Sequence, residues 1–173
     1  MKKHKVRASY TRNAGFSLVE ILVTVLILAI GLLGLAGLQM RGLKNNHSAY
    51  MRSQATQLAY DLTDRMRANP VGITGGAYNN PTLASTPPDC VTNACSAADM
   101  AAYDFAHWLG GITGDRNGIS DHLPNGTGVV CLDATPNDNA CDNTGSIYAI
   151  KISWSDRESG DSVPRTFITS FQP

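Results

Sequence analysis

The strongest constraint on this chain is an apolar run near its N-terminus. From Ile21 to Leu38, 18 consecutive residues carry no ionisable side chain. A helix of that length extends over ~27 Å, close to the thickness of the hydrocarbon core of a bilayer. The sequence therefore predicts a membrane-spanning helix. Glu20 stands directly before the run, where a carboxylate is unfavourable in lipid, so we expect its charge to have a function.

Charges on the two sides of the run predict its orientation. Five bases and no acid precede Gly15, whereas only three bases follow the apolar run closely. The bases before Gly15 are Lys2, Lys3, Lys5, Arg7 and Arg12, and those after the run are Arg41, Lys44 and Arg52. The positive-inside rule places the N-terminus in the cytoplasm and the rest of the chain outside. The alternative is a secretory signal peptide cleaved after Ala36. The position of Glu20 and the helical pattern beyond Ala36 argue against it.

The helical pattern continues past the apolar run. Apolar residues at spacings of 4, 3, 4 and 4 form one helix face, namely Met51, Ala55, Leu58, Leu62 and Met66. This spacing is typical of an amphipathic helix that packs on a soluble domain. Asn69-Pro70 predicts the end of the helix. We therefore expect one helix from Phe16 to Ala68, ~80 Å long, with its first half in lipid.

The remaining sequence predicts a small α+β domain. Pro70 to Asn93 is rich in Gly, Pro, Thr and Asn and is expected to be a long loop. A capping box at Ser96 and a stop at Gly110-Gly111 predict a helix from Ala97 to Leu109. Alternating side chains predict three strands, which are Thr127 to Asp133, Ser146 to Trp154 and Val163 to Phe171. We expect these strands to form an antiparallel meander covered by the apolar helix face.

The cysteines are Cys90, Cys95, Cys131 and Cys141. Four cysteines allow three pairings, and the short loops favour Cys90 with Cys95 and Cys131 with Cys141. An exported domain would keep such disulfides oxidised. The alternative is a zinc site made of all four thiolates. It lacks the usual C-x2-C spacing and needs a reducing compartment.

Other candidate sites are weaker. Two oxygen-rich groups suggest calcium without the spacing of a known calcium loop; they are Asn137-Asp138-Asn139 with Asp142-Asn143, and Asp115 with Asn117 and Asp121. His107 and His122 are possible ligands or bases, and Trp108 and Trp154 could line a cleft but are more typical of a core. No hydrolase, zinc-protease or phosphate-loop motif is present, so neither an enzyme nor a bound metal or cofactor is expected.

Charge also argues against one class of partner. From Asn69 to Pro173 the chain has 4 Lys and Arg against 11 Asp and Glu, a net charge of 4 − 11 = −7. A surface of this sign repels phosphate, so nucleic-acid binding is not expected.

The leader and the start of the apolar run resemble a known family. Gly15-Phe16-Ser17-Leu18-Val19-Glu20, after a short basic leader, is similar to the processing and N-methylation site of type IV pilins. The resemblance implies cleavage after Gly15 by prepilin peptidase and methylation of Phe16. It also implies that Glu20 pairs with the amino terminus of a neighbouring subunit during assembly. The long helix packed on a small antiparallel sheet is the fold that this family implies.

The resemblance also implies a function and a domain organisation. Stretches from Ile21 to Gln39, Tyr103 to Trp108 and Tyr148 to Trp154 resemble the PilV group of minor pilins, the type IV pilus modification proteins. The expected function is a minor pilin of a priming or tip complex, with other major and minor pilins and the inner-membrane assembly platform as partners; a type II secretion pseudopilin is the alternative. The expected parts are a leader (1–15), a transmembrane half-helix (16–40), an amphipathic half-helix (41–69) and a periplasmic globular domain (70–173).

Overall fold

A computed structural model describes residues 15–112, 114, 117–156 and 163–173. The chain divides into two compact units, Met1–Leu43 and Lys44–Pro173, which we call unit 1 and unit 2. In chain order the elements are α1 (Leu18–Ala68), α2 (Pro70–Thr74), α3 (Ala97–Leu109), α4 (Ile119–His122), β1 (Thr127–Leu132), β2 (Tyr148–Asp156) and β3 (Val163–Phe171).

Unit 1 contains the apolar part of α1, which begins two residues later than expected, at Leu18. Its large apolar side chains are exposed along the whole segment, as Leu22, Leu28 and Leu33 illustrate. α1 is the one helix among the described residues that is long and apolar enough to cross a membrane. Length and exposure of the apolar side chains both fit a helix whose surroundings are lipid or other apolar helices.

The part of α1 in unit 2 is amphipathic, as the spacing predicted. All five residues of the predicted face are buried, and Ala59 and Thr63 are buried with them. The helix ends at Ala68, next to the predicted Asn69-Pro70 stop. The prediction of a loop from Pro70 is wrong for its first five residues, which form α2. Asn69 caps this helix by accepting a hydrogen bond from the Gly72 N–H at 3.0 Å, and a proline at the first helical position supports it.

Caps define α3 at both ends. The Asp99 N–H donates to Ser96 Oγ at 3.1 Å, and Ser96 Oγ donates to the Asp99 carboxylate at 2.7 Å. Gly110 ends the helix in the left-handed region, with φ of 87°, where a side chain would be strained. The predicted bounds of this helix, Ala97 to Leu109, are confirmed.

The sheet is the predicted antiparallel meander, in the order β1-β2-β3. β3 has the predicted bounds, whereas β1 ends one residue early and β2 is shifted by two residues, to Tyr148–Asp156. One sheet face packs with α1 and α3 in a single core that contains both tryptophans. Trp108 donates from Nε1 to the Leu58 carbonyl at 2.9 Å, which satisfies its polar atom inside that core.

β2 is buried on its other face as well. Ala149 and Lys151 point away from the core and are nevertheless buried. The segment that follows β1 covers this face, because Cys131 in β1 is bonded to Cys141 and Lys151 contacts Asp133 and Ala140. We call residues 133–145 the covering loop.

Candidate processing and assembly site

Gly15, Phe16 and Ser17 lead into α1 without being part of it. The Ser17 carbonyl accepts hydrogen bonds from the Glu20 and Ile21 N–H groups at 3.0 and 3.3 Å, which form the first turn. Phe16 is exposed, and a Cβ placed on Gly15 would meet nothing within 4 Å. Nothing in the described structure therefore requires glycine at position 15.

Glu20 lies in the first turn of α1 and is exposed. A negative charge at this end of a helix is favoured by the exposed N–H groups of the first turn. Among the residues that the structure describes, its carboxylate forms no ion pair or side-chain hydrogen bond. The side chain is thus placed at the end of an apolar helix with its charge open to another molecule.

The four cysteines form two disulfides, Cys90–Cys95 and Cys131–Cys141, with Cα atoms 5.5 and 6.2 Å apart. These are the two local pairs favoured by the spacing. The second pair joins β1 to the covering loop, and Cys131 is fully buried.

The oxygen-rich group in the covering loop organises the loop itself. Asp142 accepts hydrogen bonds from the backbone N–H groups of Thr144 and Ala134 at 2.8 and 3.2 Å. These bonds, led by the one from Thr144, hold the pKa of Asp142 below its ordinary value. Asp138 accepts from the Ala140 N–H and contacts Lys151 Nζ at 3.4 Å. The second oxygen-rich group includes Asp115, which lies outside the described residues.

A buried ion pair, which the sequence pattern did not predict, lies beneath this loop. Lys151 Nζ lies 2.5 Å from Asp133 Oδ2, and the two side chains are 4% and 0% exposed. The signal was a single lysine inside the apolar strand Tyr148-Ala149-Ile150-Lys151-Ile152, where alternation places it on the face opposite the apolar side chains.

A second polar cluster, also missed, joins α1 to α3. Tyr78 donates its hydroxyl to Asp104 at 2.6 Å, and Asn69 Nδ2 donates to the same hydroxyl at 3.2 Å. Arg65 lies 3.6 Å from the other Asp104 oxygen. Burial raises the pKa of Asp104 and that of Tyr78. The cluster satisfies buried polar groups where the two helices and residue 78 meet, which is a structural role.

His107 and His122 line one groove of about 370 Å³ in unit 2. Its walls combine amides, one ion pair and both imidazoles; they are Gln54, Gln57, Leu58, Asp61, Arg65, His107, Asn117 and His122. In the described part of the chain, the one group of three possible metal ligands within 4.8 Å of each other is Cys131, Asp133 and Cys141. Its two cysteines are bonded to each other, and with Cys90–Cys95 also formed, the alternative of a zinc site made of four thiolates does not fit this structure.

Two family models match the chain. The prokaryotic N-terminal methylation motif matches residues 10–36, and the model described as type IV pilin Tt1218 matches residues 37–106. The matches are contiguous and together cover more than half of the 173 residues. The chain is a type IV pilin-like protein. It is a pilin subunit of type IV pilus assembly, and this class interacts with other pilins and is processed by prepilin peptidase.

The matches also locate the candidate residues of the pilin. The methylation motif includes Gly15, Phe16 and Glu20, and together with the apolar helix it fits a membrane-anchored pilin. The second match extends from the end of the apolar run into α3. Neither match names the PilV group, which stays an expectation. No curated protein and no solved structure gives a significant match.

Proposed function

We propose that this pilin is a minor pilin, a non-enzymatic subunit of the complex that primes or caps type IV pili. In this proposal it enters the inner membrane as a prepilin, with its N-terminus in the cytoplasm and unit 2 in the periplasm. The observation that carries the proposal is the methylation motif joined to an apolar helix with one exposed acid, Glu20, in its first turn.

The first step is processing at the Gly15–Phe16 bond. The open space around Gly15 supports a constraint imposed by the peptidase, because folding of the described residues does not require glycine there. The mature chain would begin at a methylated Phe16 and have 173 − 15 = 158 residues. Gly15→Val should leave the leader attached, whereas Ser17→Ala should be processed. Intact mass of the membrane-extracted protein measures both, and a mature terminus at Gly37 would indicate an ordinary signal peptide.

The second step is assembly through Glu20. A carboxylate at the edge of lipid is unfavourable by a few kcal/mol unless it gains a partner. The new amino terminus of an adjacent processed subunit would be a partner of opposite charge and is a donor for the carboxylate. The open carboxylate supports this role.

The experiment compares Glu20→Ala with Asp64→Ala, which removes an acid from an exposed site on the same helix. Glu20→Ala should remain in the membrane and be cleaved after Gly15, yet be lost from sheared pili. Asp64→Ala should be incorporated normally. If Glu20→Ala enters pili as efficiently as the wild type, Glu20 is not the assembly charge.

A gene deletion tests the minor-pilin role against the pseudopilin alternative. Loss of surface pili with normal protein secretion is expected. Normal piliation with a secretion defect would instead assign the subunit to a type II secretion system.

A further inference from the structure

We propose that Lys151 and Asp133 form an intramolecular amide, a covalent cross-link between β2 and the residue that follows β1. The inference does not depend on the pilin assignment. It starts from the ion pair beneath the covering loop, whose two charges are almost completely buried.

The register explains how the two groups meet. Val129 pairs with Lys151 and Cys131 pairs with Ala149, so these residues share the sheet face opposite the core. Asp133 continues the same alternation, and its N–H still donates to the Ile147 carbonyl at 2.9 Å. The lysine side chain therefore extends along that face, toward Asp133, and ends 2.5 Å from Oδ2. The lysine nitrogen is thus in contact with an oxygen that is bonded directly to the carboxyl carbon, the atom that it would attack.

The groups that amide formation needs surround this pair. The other carboxyl oxygen of Asp133, Oδ1, accepts a hydrogen bond from the Thr135 N–H at 3.0 Å, which would stabilise the negative charge of a tetrahedral intermediate. Asp138 Oδ1 lies 3.4 Å from Nζ and can take a proton from it. The Ala140 carbonyl accepts a hydrogen bond from the same nitrogen and orients it.

The reaction balances without an oxidant or another reactant. Nζ forms a bond to Cγ of Asp133, and the bond from Cγ to Oδ2 breaks. Of the hydrogens on the ammonium group, one stays on the amide nitrogen and the others leave with Oδ2 as water. Asp138 carries the two protons, one after the other, from the nitrogen to the leaving oxygen.

Two physical effects favour this product in the folded chain. A buried ion pair retains a desolvation penalty for each charge, and the amide removes both charges. Fixed contact also replaces a bimolecular encounter, and well-oriented intramolecular reactions reach effective concentrations of ~10⁵ M and above. The cover of the loop limits access of the water that would reverse the reaction.

The test is the mass of the full-length wild-type chain purified in detergent, then denatured, reduced and alkylated. Trypsin cleaves after Arg116, Lys151 and Arg157, and the amide blocks the cleavage after Lys151. We expect one peptide from Asn117 to Arg157 whose mass is one water below that of the unmodified sequence. Its fragment spectrum should contain no ions from backbone cleavage between Asp133 and Lys151, because the amide closes this segment into a ring. Cleavage after Lys151 with the full mass of both peptides would overturn the proposal.

Variants test the assigned roles. Lys151→Arg should restore the lost water mass, whereas Asp133→Asn should give the same cross-linked peptide, with ammonia as the leaving group. Asp138→Asn should lower the cross-linked fraction at least tenfold, while Asp142→Asn, a loop acid that holds backbone N–H groups, should not. Equal loss in the last two variants would overturn the role of Asp138. Since the wild-type mass needs no variant, failure of a variant to fold leaves the main test intact.

Discussion

One helix, α1, contains two kinds of sequence. In unit 1 its leucines are exposed, and a Cβ on Gly31, Gly34 or Gly37 would meet nothing within 4 Å. In unit 2 the same helix buries Leu58 and Leu62 in a core. The exposed apolar residues of unit 1 fit surroundings of lipid or of other apolar helices. Those of unit 2 are explained by the chain's own fold.

The comparison predicts different outcomes for a leucine-to-alanine substitution at two sites of α1. Leu62 is 0% exposed and Leu28 is 63% exposed. Leu62→Ala should lower the unfolding free energy of unit 2 by ~2–5 kcal/mol, because it removes buried methyl groups and leaves a cavity. Leu28→Ala should leave that free energy unchanged.

Tryptophan fluorescence during urea unfolding in detergent measures this quantity, because both tryptophans, Trp108 and Trp154, lie in unit 2. A loss of more than ~1 kcal/mol in Leu28→Ala would show that the apolar run supports the fold of unit 2.

Glycines give a second matched pair. A Cβ on Gly128 in β1 would lie 2.5 Å from atoms of Trp108 and Ile119, both of which are fully buried. Gly128→Ala should therefore destabilise unit 2 by ~1–3 kcal/mol through overpacking. The same unfolding curves measure it. A variant as stable as the wild type would mean that the indole can move away from β1, which contradicts the packing seen here.

Gly34→Ala is the counterpart in unit 1. Alanine should stabilise the helix by ~1 kcal/mol, because glycine loses more backbone freedom on forming a helix. Hydrogen exchange of the amides around Gly34 should become slower, and the tryptophan unfolding curve should not move. Faster exchange would contradict the absence of a packing role within this chain.

The elements that could be predicted from sequence are those with local signals. The end of α1 follows from Pro70, the bounds of α3 from Ser96 and Gly110, and β3 from its alternation. α2 and α4 have five and four residues, too few to show a period against a background of Gly, Pro and Asn. The methylation motif was likewise readable from Gly15 to Glu20, because it is a contiguous signal.

The two polar clusters could not be predicted because each depends on contacts distant in sequence. Lys151 interrupts an apolar strand, and its burial follows from Asp133, 18 residues away in the chain. Tyr78 and Asp104 are separated by 26 residues, and no local pattern pairs them. Alternation assigns a charged residue to solvent by default, so a buried pair is visible only when both partners are placed.

The pH dependence of the stability of unit 2 should be the smallest of these effects. Burial, the largest cause, raises the pKa of Asp104 in the folded chain. A folded chain with a raised carboxyl pKa binds a proton at a higher pH than the unfolded chain does. This carboxyl therefore adds stability at low pH, and that contribution is lost as the pH rises through its folded pKa.

Asp104→Asn isolates this contribution from those of Asp89 and Asp142, whose lowered pKa values act in the opposite direction. The difference in unfolding free energy, wild type minus variant, should grow as the pH falls from neutral toward about 4. Tyr78→Phe is the matched control, because the Tyr78 hydroxyl bond to Asp104 lowers that pKa. Without the hydroxyl the growth should begin at a higher pH. A difference that stays constant or shrinks on acidification would mean that the Asp104 charge is at least as well stabilised in the folded chain as in the unfolded one.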